Sequence, residues 1–89
     1  MNIIGYKQVD YKQLQQEMQK RYADYREGKS EIDLAVAINI KSTQTVRNAF
    51  RQDYQMVSDE LLTSLNKAIG LNTCVVWENG VRNYFIPKK

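Results

Sequence analysis

The sequence is poor in the residues on which several classes of site depend. Its 89 residues contain no histidine and one cysteine, Cys74, which excludes a zinc finger, a histidine-based catalytic triad and an intramolecular disulfide. No apolar run approaches the roughly 20 residues that a membrane-spanning helix needs. The first ten residues also lack the apolar stretch of a signal peptide. We therefore expect a cytoplasmic protein with no membrane partner, no metal and no cofactor.

Proline and glycine are also scarce, with one and four copies, which is too few for an extended linker. A chain of 89 residues with 43% hydrophobic content suits one compact domain with a modest core. We predict a single domain over residues 1–89. The formal net charge of +3 permits an anionic partner without requiring one, so the distribution of charge carries more weight than its total.

Residues 30–50 hold the most informative pattern. Ser30 and Asp33 have the spacing of a capping box, which predicts a helix start. The apolar face of this first helix is expected to comprise Leu34, Ala35 and Ile38. Asn39 stands where the chain should leave the helix through a left-handed residue, a conformation that asparagine tolerates.

A second short helix is predicted after a tight polar turn. Ile40 and Lys41 form the turn, and Ser42 is expected to cap a helix over about residues 43–52. Its core-facing stripe comprises Val46, Ala49 and Phe50. Two capped helices joined in this way are typical of proteins that place a helix in the DNA major groove.

The outward face of the second helix carries side chains that can contact nucleic acid. It comprises Thr43, Gln44, Thr45, Arg47, Asn48 and Arg51. Gln and Asn pair with adenine, Arg with guanine or phosphate, and Thr with either. Between residues 34 and 52 the only charged residues are Lys41, Arg47 and Arg51, so an acid-free, locally positive surface is expected.

Three sequence motifs resemble those of the lambda-repressor-like helix-turn-helix superfamily, both its Xre-type phage-repressor branch and its lac-repressor headpiece branch. The motifs are Ser42-Thr43-Gln44-Thr45-Val46, Met56-Val57-Ser58 and Leu65-Asn66-Lys67-Ala68-Ile69-Gly70-Leu71. The resemblance covers roughly residues 8–72. It implies a helical bundle that binds double-stranded DNA sequence-specifically, usually as a dimer.

The resemblance also implies roles for individual residues. The base-reading positions would be Thr43, Gln44 and Asn48. Phosphate or mixed contacts would come from Lys41, Ser42, Thr45, Arg47 and Arg51. The sequence departs from the family pattern in two ways, since Asn39 replaces the turn glycine and the turn is one residue longer. Both departures affect the expected tilt of the second helix, which would be the recognition helix.

Helices are also predicted on either side of this motif. Asp10 and Gln13 have capping-box spacing at the start of a long helix. One face of that helix, called here the tyrosine stripe, comprises Tyr11, Leu14, Met18, Tyr22 and Tyr25. Ser58 is expected to cap the last helix, which ends at Gly70. Two alternatives stay open for residues 1–9, which are packing on the bundle and forming a short edge strand.

Asn79-Gly80 between β-prone runs predicts a hairpin over residues 73–86. A two-residue loop gives a strand pairing in which four apolar side chains lie on one face, and these are Val75, Trp77, Tyr84 and Ile86. These four are the candidate dimer interface, because an isolated hairpin is marginal in water and its open edge can pair with a second copy. Packing on its own bundle, or contact with DNA as a wing, are the alternatives.

The fold class expected from these patterns is mainly α, a four- to five-helix lambda-repressor-like helix-turn-helix bundle (residues 8–72) with a C-terminal β-hairpin. The expected function is that of a small dimeric transcriptional regulator, such as a repressor, whose partner is double-stranded DNA. The rival is a protein-interaction module, antitoxin-like or adaptor, that uses the tyrosine stripe and the hairpin. No spacing of serines, threonines or carboxylates indicates an activated nucleophile, so we expect no catalytic residues and no enzyme.

Overall fold

A computed structural model describes residues 3–51 and 57–88 of the chain. Its elements in chain order are β1 (Tyr6–Val9), α1 (Tyr11–Tyr25), α2 (Glu31–Ala37), α3 (Thr43–Ala49), α4 (Asp59–Ala68), β2 (Cys74–Glu78) and β3 (Val81–Pro87). The longest of these helices, α1, has 15 residues. None of the helices in the described ranges has the length and apolar character needed to cross a membrane.

The prediction of a mainly α fold with only a C-terminal hairpin is wrong. Strand β1 pairs antiparallel with β3, which gives a three-stranded antiparallel sheet of order β1-β3-β2. Together with four helices, this sheet makes the described fold α+β. The physical reason is that β3 has backbone donors and acceptors on two edges, and the hairpin satisfies only one of them. Residues 6–9 satisfy the other edge and bury Val9 in the core.

The hairpin itself forms as predicted. Asn79 and Gly80 both have positive φ, 53° and 75°, as a type I′ turn requires. The register pairs Glu78 with Val81, Trp77 with Arg82 and Val75 with Tyr84. Local turn chemistry therefore fixes the pairing of these two strands.

The predicted helix boundaries are confirmed at three caps. The Gln13 backbone N–H donates to Asp10 Oδ1 at 2.7 Å, and the reciprocal capping-box bond is present at the start of α1. Ser30 and Asp33 form the second capping box at the start of α2. At α4, Ser58 accepts from the Leu61 N–H. The left-handed exit expected at Asn39 is also present, with φ of 60°.

The core joins the helices to one face of the sheet. Its fully buried members include Leu14, Met18, Leu34, Val46, Leu62 and Leu65. The tyrosine stripe belongs to this core, because Tyr11 is buried and Tyr22 and Tyr25 are half-buried against it. Tyr22 stacks on Phe50 with ring centroids 4.2 Å apart. The stripe therefore packs α1 on the body, which leaves little of it for a partner.

The candidate dimer interface on the hairpin also needs correction. Tyr84 and Ile86 are buried in the protein's own core, and Val75 is half-buried against it. Only Trp77 of the four is exposed, at 58%. The apolar face of the hairpin therefore packs on its own helices, and both edges of β3 are occupied. Within the described residues, the outer edge of β2 remains unpaired.

A polar cluster ties the hairpin to the start of α4. The Arg82 guanidinium donates from Nη1 to the Val57 carbonyl at 2.6 Å and to Asp59 Oδ1 at 3.0 Å, and from Nε to the Tyr84 hydroxyl at 2.9 Å. Trp77 Nε1 donates to the other Asp59 oxygen at 2.5 Å. We call Asp59, Trp77, Arg82 and Tyr84 the Arg82 cluster. It adds polar contacts between the hairpin and α4 to the apolar ones of the core.

Alkaline pH is expected to destabilise the protein through its tyrosines. Burial raises the pKa of Tyr22 above its ordinary value of 10.0. The folded state therefore holds the Tyr22 proton more tightly than the unfolded state does. The stability that protonated Tyr22 contributes is present below about pH 10 and is lost as pH rises through the raised pKa. The Tyr22 hydroxyl is buried without a hydrogen-bond partner in the described part of the chain.

Tyr22→Phe should leave stability at pH 7 unchanged or slightly higher and should flatten the decline above pH 10, because it removes a buried hydroxyl that has no partner. Urea denaturation of both proteins at about pH 7 and about pH 11 measures the difference. The half-buried Tyr25→Phe is the matched control. An equal alkaline loss in wild type and Tyr22→Phe would contradict the assignment.

Candidate nucleic-acid interface

Helices α2 and α3 pack against each other and contribute to the same core. Ala35 and Ala49 are buried, together with Leu34 and Val46. The chain between the helices turns at Asn39, whose N–H donates to Val36 O at 3.0 Å. The result is the helix-turn-helix arrangement that the sequence indicates.

Two glutamines of α1 hold the C-terminal end of α3. The fully buried Gln15 donates from Nε2 to the Ala49 carbonyl at 2.7 Å and to the Tyr11 hydroxyl at 3.0 Å. Gln19 donates to the Phe50 carbonyl at 3.4 Å. These carbonyls belong to the last turn of α3, which has no intrahelical donors for them. The sequence analysis did not identify either contact. The position of Gln15, a polar residue next to Leu14 on the buried side of α1, was a signal for the first of them.

The N-terminal end of α3 differs from the prediction in one respect. Ser42 occupies the N-cap position with an extended backbone, but its hydroxyl makes no capping hydrogen bond. Helix α3 is also shorter than expected, ending at Ala49. Residue 52, where the helix was expected to end, and Met56 of the resemblance lie outside the described residues.

The exposed face of α3 brings most of the predicted site residues together. Gln44 is exposed and donates from Nε2 to Asn48 Oδ1 at 3.0 Å. Thr43 is half-buried at the first position of the helix, one turn before the exposed Arg47. Spacings of three and four residues place these side chains side by side on a helix. Thr45 and Asn48 are half-buried, as Thr43 is.

The expectation of an acid-free surface is wrong. Arg47 Nε lies 2.7 Å from Glu31 Oε2, and the two side chains are 59% and 30% exposed. Glu31 is the first residue of α2, and the crossing of the helices brings it beside α3. An exposed pair of this kind contributes about 0–1 kcal/mol, so Arg47 can exchange this partner for another anion at little cost.

Cations from outside the motif extend the positive surface. Arg26 and Lys29 follow α1 and line a shallow depression of about 430 Å³ with Glu31, Thr43 and Arg47. The Lys29 Nζ atom lies 4.7 Å from the centre of the Tyr25 ring. Sequence reasoning did not include Arg26 or Lys29, because their position depends on how α1 ends beside α2. Lys41 and Arg51 are exposed at the two ends of α3.

Known proteins offer no guide to this surface. No protein-family model matches the chain, and no curated protein or solved structure matches it. The resemblance to lambda-repressor-like proteins therefore rests on the motif residues alone and stays a prediction.

Proposed function

We propose that this protein binds double-stranded DNA sequence-specifically, as a small transcriptional regulator in the cytoplasm, with α3 in the major groove. The observation that carries the proposal is the amide pair Gln44–Asn48 on the exposed face of a short helix, with exposed cations at both helix ends. Side-chain amides are the groups that pair with adenine edges. The bonds from Gln15 and Gln19 support the proposal because they hold this helix in a defined position.

The amide pair suits base reading because each side chain keeps a group for the DNA. The hydrogen bond between them uses Gln44 Nε2 and Asn48 Oδ1, which leaves the Gln44 carbonyl and the Asn48 amino group for a base. An acceptor and a donor together match the N6 and N7 atoms of adenine. Because the pair is already ordered, less side-chain entropy is lost on binding.

The cations around α3 would contact phosphates. Lys41 and Arg51 are exposed at its ends, and Arg47, Arg26 and Lys29 line the adjoining depression. Each phosphate contact releases condensed counterions, so affinity should fall steeply as salt rises. Arg47 would exchange Glu31 for phosphate on binding.

Replacing Gln44 or Asn48 with alanine should relax base preference at defined positions of the binding site. Each bidentate contact is worth about 1–3 kcal/mol of discrimination, so preference at one or two base pairs should fall by roughly 5- to 150-fold. Selection from a randomised duplex pool measures this directly. Gln16→Ala, on the exposed side of α1, is the matched control. Unchanged base preference in both variants would refute the base-reading role.

Lys41→Ala should weaken binding to all duplexes similarly and lower the slope of log affinity against log salt by about 1. The reason is the loss of one phosphate contact that carries no sequence information. Titrations at two or more salt concentrations, by fluorescence anisotropy, give the slope. Lys12→Ala removes an equally exposed charge from α1 and should leave the slope unchanged. Equal slopes for wild type and Lys41→Ala would contradict the contact.

We further propose that the regulator acts as a homodimer through the outer edge of β2. This strand, Cys74–Glu78, contains neither lysine nor proline, the residues that commonly protect an edge from pairing. Trp77 and Val81 beside the turn are both exposed. Antiparallel pairing of β2 with a second copy would join two sheets across a two-fold axis. A monomer in sedimentation at micromolar concentration would overturn this arrangement.

A further inference from the structure

Helix α2 has a second apolar surface that the core does not use. Ile32 and Val36 are 64% and 72% exposed, one turn apart on the same helix. With the half-buried Ile40 and Thr43 they line a groove of about 580 Å³ between α2 and the start of α3. We call this the α2 groove. Sequence analysis assigned Leu34, Ala35 and Ile38 to the apolar face of α2 and left these residues out.

These two residues differ from Trp77, an exposed apolar side chain of the hairpin. Trp77 donates to Asp59, and the Arg82 guanidinium carbon lies 5.8 Å from the centre of the Trp77 ring. These two contacts within the chain explain why Trp77 lies where it does. Ile32 and Val36 form no such polar contact and lie side by side. Adjacent exposed apolar side chains with a polar rim are typical of a protein-binding surface.

The rim of the α2 groove is positively charged. Lys41 lies at one end, while Arg26, Lys29 and Arg47 line the adjoining depression, which shares Ile32 and Thr43 with the groove. Among the residues that line the two depressions, these four are cations and Glu31 is the acid. Glu31 pairs with Arg47, so the cations in excess are Lys41, Arg26 and Lys29. An occupant must therefore combine apolar side chains with negative charge.

An amphipathic acidic helix meets both requirements. Its apolar residues at spacings of three or four would cover Ile32 and Val36, as in other complexes of a helix in a groove, and its acids would meet the cationic rim. A nucleic-acid backbone would satisfy the cations but leave the apolar floor uncovered. A second copy of this chain would bring a net charge of +3 against the same rim.

We propose that the α2 groove binds a short acidic amphipathic helix of a partner protein. This goes beyond DNA binding and does not rest on it. The site shares Thr43, Lys41 and Arg47 with the proposed DNA surface, so a bound partner and DNA would compete for these residues.

Display selection with the full chain tests the proposal in the absence of DNA. The probe is a library of peptides of about 16 residues, long enough to form a helix on binding. We expect enrichment of sequences that combine acids with apolar residues three or four positions apart. Enrichment of basic or uncharged sequences, or no enrichment, would overturn the proposal.

Variants then locate the binding site. Val36→Glu should weaken binding of the enriched peptides by about tenfold or more, because it replaces an apolar contact by a charge that repels their acids. Ile4→Glu is the matched control, since Ile4 is 100% exposed and lines neither depression. Circular dichroism checks that both variants are folded. Equal binding by wild type and Val36→Glu would refute the site. Dissociation of a wild-type dimer by Val36→Glu would also refute it, because the groove would then be a contact between copies.

Discussion

Replacing Arg82 with methionine is expected to lower the free energy of unfolding by about 2–3 kcal/mol. The substitution keeps much of the apolar stem but removes the donors to the Val57 carbonyl, Asp59 and the Tyr84 hydroxyl. The Arg82 side chain is only 12% exposed, so water cannot replace all of these bonds. The loss should therefore exceed that of an exposed ion pair several-fold.

Denaturation in urea measures this loss. Arg82→Lys retains the charge beside Asp59 but lacks the planar fork that reaches three acceptors, so its loss should be intermediate. Lys20→Met removes an exposed cation whose partner, Glu17, lies one turn away, and it should change stability by less than about 0.5 kcal/mol. A similarly small effect of Arg82→Met would show that the cluster does not stabilise the fold.

Replacing Gln15 with leucine should cost about 2 kcal/mol and loosen α3. The fully buried Gln15 amide is a donor to the Ala49 carbonyl, and leucine leaves that carbonyl without this bond at a typical penalty of about 1–3 kcal/mol. If α3 reads DNA, the variant should lose more of its base discrimination than of its salt-dependent affinity for unrelated duplexes. Base discrimination needs a helix in a fixed position, whereas non-specific phosphate contacts do not. Equal loss of both would indicate simple unfolding.

Gln15→Glu provides a sharper form of the same experiment. A carboxylate at this position is buried and cannot donate to the Ala49 carbonyl, so burial should raise its pKa above the ordinary Glu value of about 4.3. A raised folded pKa means that the variant is most stable at low pH and loses stability as pH rises through that pKa.

The wild-type protein is a suitable reference for Gln15→Glu. The chain has no histidine, so few of its groups titrate between about pH 5 and pH 7. Urea denaturation across that window should show a decline in Gln15→Glu and little change in wild type. A parallel pH dependence in the two proteins would contradict the expected burial of the carboxylate.

The elements that could be predicted from the sequence are those determined by neighbouring residues. The capping boxes at Asp10 and Ser30 and the Asn79-Gly80 turn each involve residues within four positions of one another, and all three are present. The cap hydrogen bond expected from Ser42 is absent, although the helix begins there. Local patterns therefore predicted where each helix begins, but they did not always predict the capping hydrogen bond at that residue.

The parts that sequence reasoning missed depend on distant contacts. Strand β1 has four residues, of which only Val9 is buried, so it lacks the alternation that indicates a strand. Its partner strand begins more than 70 positions along the chain. The Glu31–Arg47 pair likewise depends on how α2 crosses α3, and no spacing within either helix encodes that crossing.

Pairing of β1 with β3 has a consequence for biosynthesis. Tyr6 lies opposite Pro87, and the Lys88 N–H donates to the Gly5 carbonyl at 2.8 Å. The middle strand of the sheet is thus synthesised after both of its neighbours. Until β3 leaves the exit tunnel, β1 and β2 have no partner, so the helices must assemble around an unfinished sheet. A nascent chain stalled before residue 81 should therefore remain sensitive to protease at its first strand.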